Sequence, residues 1–129
     1  VIVVDASVLA TALAVSSSDG HAARQRLVAD DLHAPHLIDL EVASVLRRRE
    51  RARDIDARHA ALALRELDDL PLARYPHLPL IPRIWELRRN VSPYVAAYVA
   101  LAEALGCKLV TGDRRLARST GVRCELEVL

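Results

Sequence analysis

Phenylalanine is absent from this chain and aromatic residues make up only 3% of it. Any core must therefore be assembled from alanine, valine and leucine, and at 52% hydrophobic residues there is ample material for one. The four glycines are scattered, which leaves no glycine-rich loop to cradle a nucleotide phosphate and disfavours a nucleotide-binding enzyme. Cysteine is limited to Cys107 and Cys124, both in segments that read as strands, and the expectation is two buried, reduced thiols in a cytoplasmic protein. The histidines, His21, His33, His36, His59 and His77, show neither an HxxxH spacing nor a pairing with cysteine, and are expected on the surface or in loops. No apolar run approaches the ~20 residues needed to span a bilayer. The N-terminus also lacks the basic-then-apolar pattern of a secretory signal. A formal net charge of +1 excludes a strong overall field.

The chain is organised around its first stretch, VIVVDAS. Val1 to Val4 is an apolar, mostly β-branched run of the kind buried on both faces of a parallel sheet. Asp5 then stands at the strand's carboxyl end, where open α/β sheets bind ligands. Ser7 reads as an N-cap for a helix over Val8 to Val15. Further helices are predicted over His21 to Asp30, His36 to Arg51, Asp56 to Leu70 and Pro79 to Asn90. Another begins with Ser92 at N-cap and Pro93 at N1 and ends at Gly106. Short strands are expected at Leu32 to Ala34, Leu72 to Tyr75, Lys108 to Thr111 and Arg123 to Val128, with a short helix over Arg114 to Ser119. The alternation implies one domain over residues 1–129, a small α/β sandwich around a mostly parallel sheet.

Carboxylates occupy conspicuous places in this pattern. Asp5 and Asp113 each follow an apolar strand, and the carboxyl ends of parallel strands point the same way. Asp113 also suits the N-cap of the helix beginning at Arg114. Glu41 lies in the row Leu37–Glu41–Val45 and faces the core or its rim. Brought together, these three repel unless a cation neutralises them, and hard oxygen donors suit Mg²⁺ or Mn²⁺. Ser7 and Thr111 sit two residues from Asp5 and Asp113 and can orient them or add hydroxyl ligands. Arg47, Arg48, Arg49, Arg51 and Arg53 follow Glu41. Consecutive arginines point all round a helix, so most meet water. Arg48, seven residues beyond Glu41, shares its face and suits a phosphate or a carboxylate. Arg114 is a second phosphate candidate. Tyr94 and Tyr98 can stack on a base, although packing is the simpler role, and Trp85 is expected in the core or at a dimer interface.

Four blocks, VVDASVL, LEVASVLRRR, YVAAYVALAEALG and LVTGDRRLA, together resemble the PIN domain, and more narrowly the VapC toxins of bacterial toxin–antitoxin pairs. The resemblance spans the chain. It implies an α/β/α endoribonuclease dependent on Mg²⁺ or Mn²⁺, homodimeric, and restrained by a VapB-like antitoxin whose tail fills the active-site groove. Asp5, Glu41 and Asp113 match three of the family's acids. A fourth, in the first turn of the late helix, is replaced here by Val95. That position is N3 behind Ser92, where a carboxylate would close a capping box and favour the helix dipole, and valine does neither. Glu103 does not substitute, being more than two turns along and about 80° around the helix. Two functions are therefore carried forward. One is a toxin ribonuclease weakened by Val95. The other is a catalytically inactive module that binds antitoxin or RNA.

Overall fold

The computed structural model describes residues 1–129. Five strands form one sheet: β1 (Ile2–Val4), β2 (Leu32–Pro35), β3 (Leu72–Tyr75), β4 (Lys108–Thr111) and β5 (Leu126–Val128). Their order is β3-β2-β1-β4-β5 and every pairing is parallel, so the sheet is wholly rather than mostly parallel. Six helices connect them: α1 (Ala6–Ala14), α2 (Ser18–Leu27), α3 (Ile38–Arg51), α4 (Ala57–Asp69), α5 (Ile81–Glu86) and α6 (Pro93–Leu105).

Successive side chains of a strand point to opposite faces, yet Ile2, Val3 and Val4 of β1 are all buried. Helices must therefore cover both faces. α1 packs with α2, α3 and α4, while α6 lies against β1, β2 and β4 with α5 beside it. α6 is buried continuously from Ala96 to Ala102. Four of those seven residues are alanines, whose small side chains let the helix approach the sheet closely. No helix is long and apolar enough to cross a membrane.

Several boundaries differ from the sequence-based expectation, each for a local reason. α1 starts directly after β1, so Asp5 rather than Ser7 is its N-cap and accepts the Val8 N–H at 3.0 Å. α2 begins at Ser18 and ends at Leu27. The expected helix over Pro79 to Asn90 becomes a 3₁₀ turn, Leu78–Leu80, followed by the short α5. Leu116–Arg118 is likewise only a 3₁₀ turn. The last strand shortens to Leu126–Val128, which leaves Cys124 just ahead of it. Cys107 also precedes its strand, and both thiols are free and half-buried rather than fully enclosed. Ser92 does cap α6, accepting the Val95 N–H, and Gly106 ends it at φ 65°, a left-handed conformation natural to glycine.

Trp85 is not a core residue. It is 64% exposed, with the Arg88 guanidinium 4.6 Å from its ring centroid. The histidines are more engaged than expected. His33 lies within β2 and its Nδ1 shares a hydrogen bond with the Tyr75 hydroxyl at 2.7 Å. His77 Nε2 accepts the Leu37 N–H at 2.9 Å, satisfying a backbone donor at the start of α3, where no N-cap side chain does so.

Candidate active site

The strand order fixes where a site belongs. The chain builds outward from β1 through β2 to β3, then crosses back and continues through β4 to β5. In open parallel sheets the crevice beyond the carboxyl ends at such a reversal is the usual ligand position. Here it lies between β1 and β4, which pair as Val4 with Val110, and the Asp5 N–H donates to the Val110 carbonyl. Asp5 follows β1 directly and Asp113 follows β4 after Gly112, so the reversal places both at this end of the sheet.

A pocket of about 420 Å³ opens there, lined by Asp5, Ser7, Glu41, Arg48, Val95 and Asp113 among others. Thr111 and Tyr98 complete its polar wall. A larger cleft of about 890 Å³ lies at the opposite, amino-terminal end of the strands. There Arg26 pairs with Asp30 and Lys108 with Glu125.

Asp5 is the most firmly held acid. One oxygen accepts from the Ser7 hydroxyl at 2.7 Å and from the Val8 N–H at 3.0 Å, and the other accepts from the Thr111 hydroxyl. Thr111, only 1% exposed, in turn accepts the Asp113 N–H at 3.0 Å. A single hydroxyl thus bridges the two aspartates. Ser7 makes a parallel link, since its oxygen accepts the Gly112 N–H at 3.3 Å. Gly112 permits that approach, because a Cβ there would stand 2.8 Å from the Ser7 oxygen. Asp113 accepts the Arg115 N–H at 2.9 Å, a turn-stabilising role like the cap expected of it. Ser7 and Thr111 thus both hold the Asp5 carboxylate, and Thr111 also fixes the Asp113 backbone.

Glu41 is half-buried, at the rim rather than the centre of the core. Its carboxylate accepts the Tyr98 hydroxyl at 2.7 Å. From sequence Tyr98 suits packing or stacking on a base, and a bond to Glu41 is not anticipated. The available signal was its place three residues after Val95, on the same helix face. Burial, then the Glu41 carboxylate, push the Tyr98 phenol well above the ordinary tyrosine range, so it stays protonated as a donor. Tyr94, by contrast, is exposed. Val95 lines the same pocket and is half-buried.

The two arginines part company. Arg48 is exposed at the acidic pocket and makes no ion pair. Arg114 lines an adjoining groove of about 470 Å³ with Ser7, Thr11, Asp19 and Gly112, on the far side of the Ser7–Gly112 contact.

No three acidic, histidine or cysteine side chains converge tightly enough to form a finished metal-ligand set. The donors nevertheless suit a hard cation. They are carboxylate and hydroxyl oxygens along one pocket wall, and Mg²⁺ commonly keeps several waters while resting on one or two carboxylates.

The PIN domain family model matches residues 2–121. Ribonuclease VapC9 of Mycobacterium tuberculosis is 48% identical over 128 residues, covering 99% of this chain and 98% of the relative. The chain belongs to the PIN-domain family, among the VapC ribonucleases. Solved structures share the fold of this VapC-family chain. VapC20 of M. tuberculosis, described as a sarcin–ricin loop cleaving toxin, superposes with a TM-score of 0.68 at 19% identity, covering 95% of this chain and 99% of that one. VapBC2 of Rickettsia felis, bound to a DNA fragment from its promoter, gives 0.69 at 12% identity, covering 99% and 98%.

Proposed function

We propose that this chain is the toxin of a type II toxin–antitoxin pair, an endoribonuclease dependent on Mg²⁺ or Mn²⁺ whose activity is reduced by Val95. The observation that carries the reading is the gathering of Asp5, Glu41 and Asp113 into one pocket at the sheet's reversal point, in a chain of the VapC family. Asp5, Asp113 and Glu41 would hold the ion, which when bound supplies an activated water and neutralises charge developing on the phosphate. Ser7 and Thr111 fix the orientation of the Asp5 carboxylate, and Thr111 couples it to Asp113. Arg48, unpaired at the pocket, would contact an RNA phosphate, or an acidic group of a VapB-like antitoxin when that partner occupies the groove. Arg114 would extend phosphate contact into the adjoining groove. A homodimer is part of the same reading. Ile81 and Trp85, exposed one helical turn apart on α5, support a covered face there.

Val95 favours a second reading, a PIN-fold module that binds antitoxin or RNA without cutting. Its apolar side chain occupies pocket wall where the family resemblance implies a carboxylate. Cleavage assays on purified, antitoxin-free protein separate the two. The ribonuclease reading expects weak Mg²⁺-dependent RNA cleavage that rises at least ~10-fold on Val95→Asp. Failure of Val95→Asp to cut any RNA with added metal would leave the binding module.

A further inference from the structure

We infer that Tyr98 is a positioning residue for Glu41, an assignment that rests on the ribonuclease reading above. The two acids that follow strands are anchored by the sheet itself. Asp5 has three hydrogen-bond donors, and Asp113 is tied to the short segment after β4. Glu41 has neither advantage. It projects from α3 through a side chain with three rotatable bonds, and the Tyr98 hydroxyl is its one hydrogen-bond partner in the protein. No cation pairs with it. Nothing else restrains a glutamate at the rim from turning out to water, where its rotamer freedom is greatest.

Tyr98 is suited to impose that restraint. Its ring is 4% exposed, on the fully buried stretch of α6, so the hydroxyl is presented from a rigid base. The bond is also the only side-chain hydrogen bond that joins α6 to α3. The phenol thus sets both the direction of the Glu41 carboxylate and its distance from Asp5 and Asp113. It acts through Glu41 and does not itself reach the scissile phosphate. Partners that orient a metal ligand typically change metal affinity or activity 10–100-fold when removed.

The test uses Tyr98→Phe, Glu41→Gln and the double variant, each in the full chain carrying Val95→Asp, with Asp5→Asn as the reference for the site. Tyr98→Phe keeps the buried ring and removes one oxygen. The readouts are Mn²⁺ affinity by calorimetry and the separate effects on kcat and KM for RNA cleavage. The expected result is a loss of about 10-fold or more in Mn²⁺ affinity for Tyr98→Phe. A matching fall in kcat should accompany it, with KM within about twofold, and no further loss should appear when Tyr98→Phe is added to Glu41→Gln. Tyr98→Phe with undiminished Mn²⁺ affinity, or with a loss that adds to that of Glu41→Gln, would overturn the assignment. If Asp5→Asn abolishes binding and cleavage in that same series, the ribonuclease reading survives and only Tyr98 is misassigned. If Asp5→Asn also leaves Mn²⁺ affinity untouched, or the parent binds no Mn²⁺, the ribonuclease reading fails and the role of Tyr98 fails with it.

Discussion

Replacing Thr111 by valine tests how the site is held together. The change is nearly isosteric and exchanges one hydroxyl for a methyl at a position that is 1% exposed. The lost hydroxyl donates to the Asp5 carboxylate and accepts the Asp113 N–H. A hydrogen bond to a charged group contributes about 1.5–3 kcal/mol and a neutral one about 1 kcal/mol. Burying the extra methyl returns roughly 0.8 kcal/mol. The net expectation is a destabilisation of about 2–3 kcal/mol, or roughly 10 °C in Tm for a chain of this size. Thr111→Ser keeps both hydrogen bonds and loses only the methyl, so its cost should stay near 1 kcal/mol. Urea and thermal melts of the three proteins provide the comparison. If Thr111→Val were as stable as the parent and Thr111→Ser the weaker of the two, the hydroxyl bridge between the aspartates would contribute nothing, and the account of how they are oriented would be wrong.

Other expectations follow from the same contacts. Gly112→Ala places a Cβ 2.8 Å from the Ser7 oxygen, so it should cost about 1 kcal/mol by displacing the hydroxyl from Asp5. Adding Ser7→Ala should remove that penalty, and additive losses in melts of the two single variants and the double would refute the contact. Burial pushes the Cys124 thiol up to about 11. A thiol held neutral by the fold loses stability as pH rises from the unfolded value of about 8.5 through 11. Denaturation midpoints should therefore fall across that range, and Cys124→Ser should flatten the fall. Arg48→Ala should weaken RNA binding without altering Mn²⁺ affinity, and should reduce the salt slope of binding by about one unit. An unchanged slope by fluorescence anisotropy would remove Arg48 from the phosphate path.

Much of this arrangement was legible in the sequence because local and global signals agree. The β-branched run ending in Asp5 marks β1, and the limits of β3 and β4 are met residue for residue. Asp5, Glu41 and Asp113 do share a pocket, and Ser92, Pro93 and Gly106 bound α6 as their capping chemistry dictates. Less legible were some element boundaries and the contacts between residues distant in the chain. Asp5 displaces Ser7 as the cap of α1 because no linker separates strand from helix, which periodicity alone does not reveal. The segment around α5 reads as a long helix, but it is divided into a 3₁₀ turn containing Pro79 and a short α-helix with Pro82 in its first turn, ending at Glu86. Tyr98 and Glu41 are 57 residues apart, and nothing in either local pattern announces their hydrogen bond. Arg114 follows Asp113 in sequence, yet lines a different groove because the chain turns sharply after Gly112.

Asp5, Glu41 and Asp113 are proposed as a metal-dependent nuclease site weakened by Val95. A parallel Mn²⁺ titration of this chain and its Val95→Asp variant, read by calorimetry and by RNA cleavage, tests it most directly. Weak binding and slow cleavage are expected of the chain itself, with both strengthened together in the variant. Absence of metal binding in both proteins would contradict it, leaving the carboxylates as structural groups.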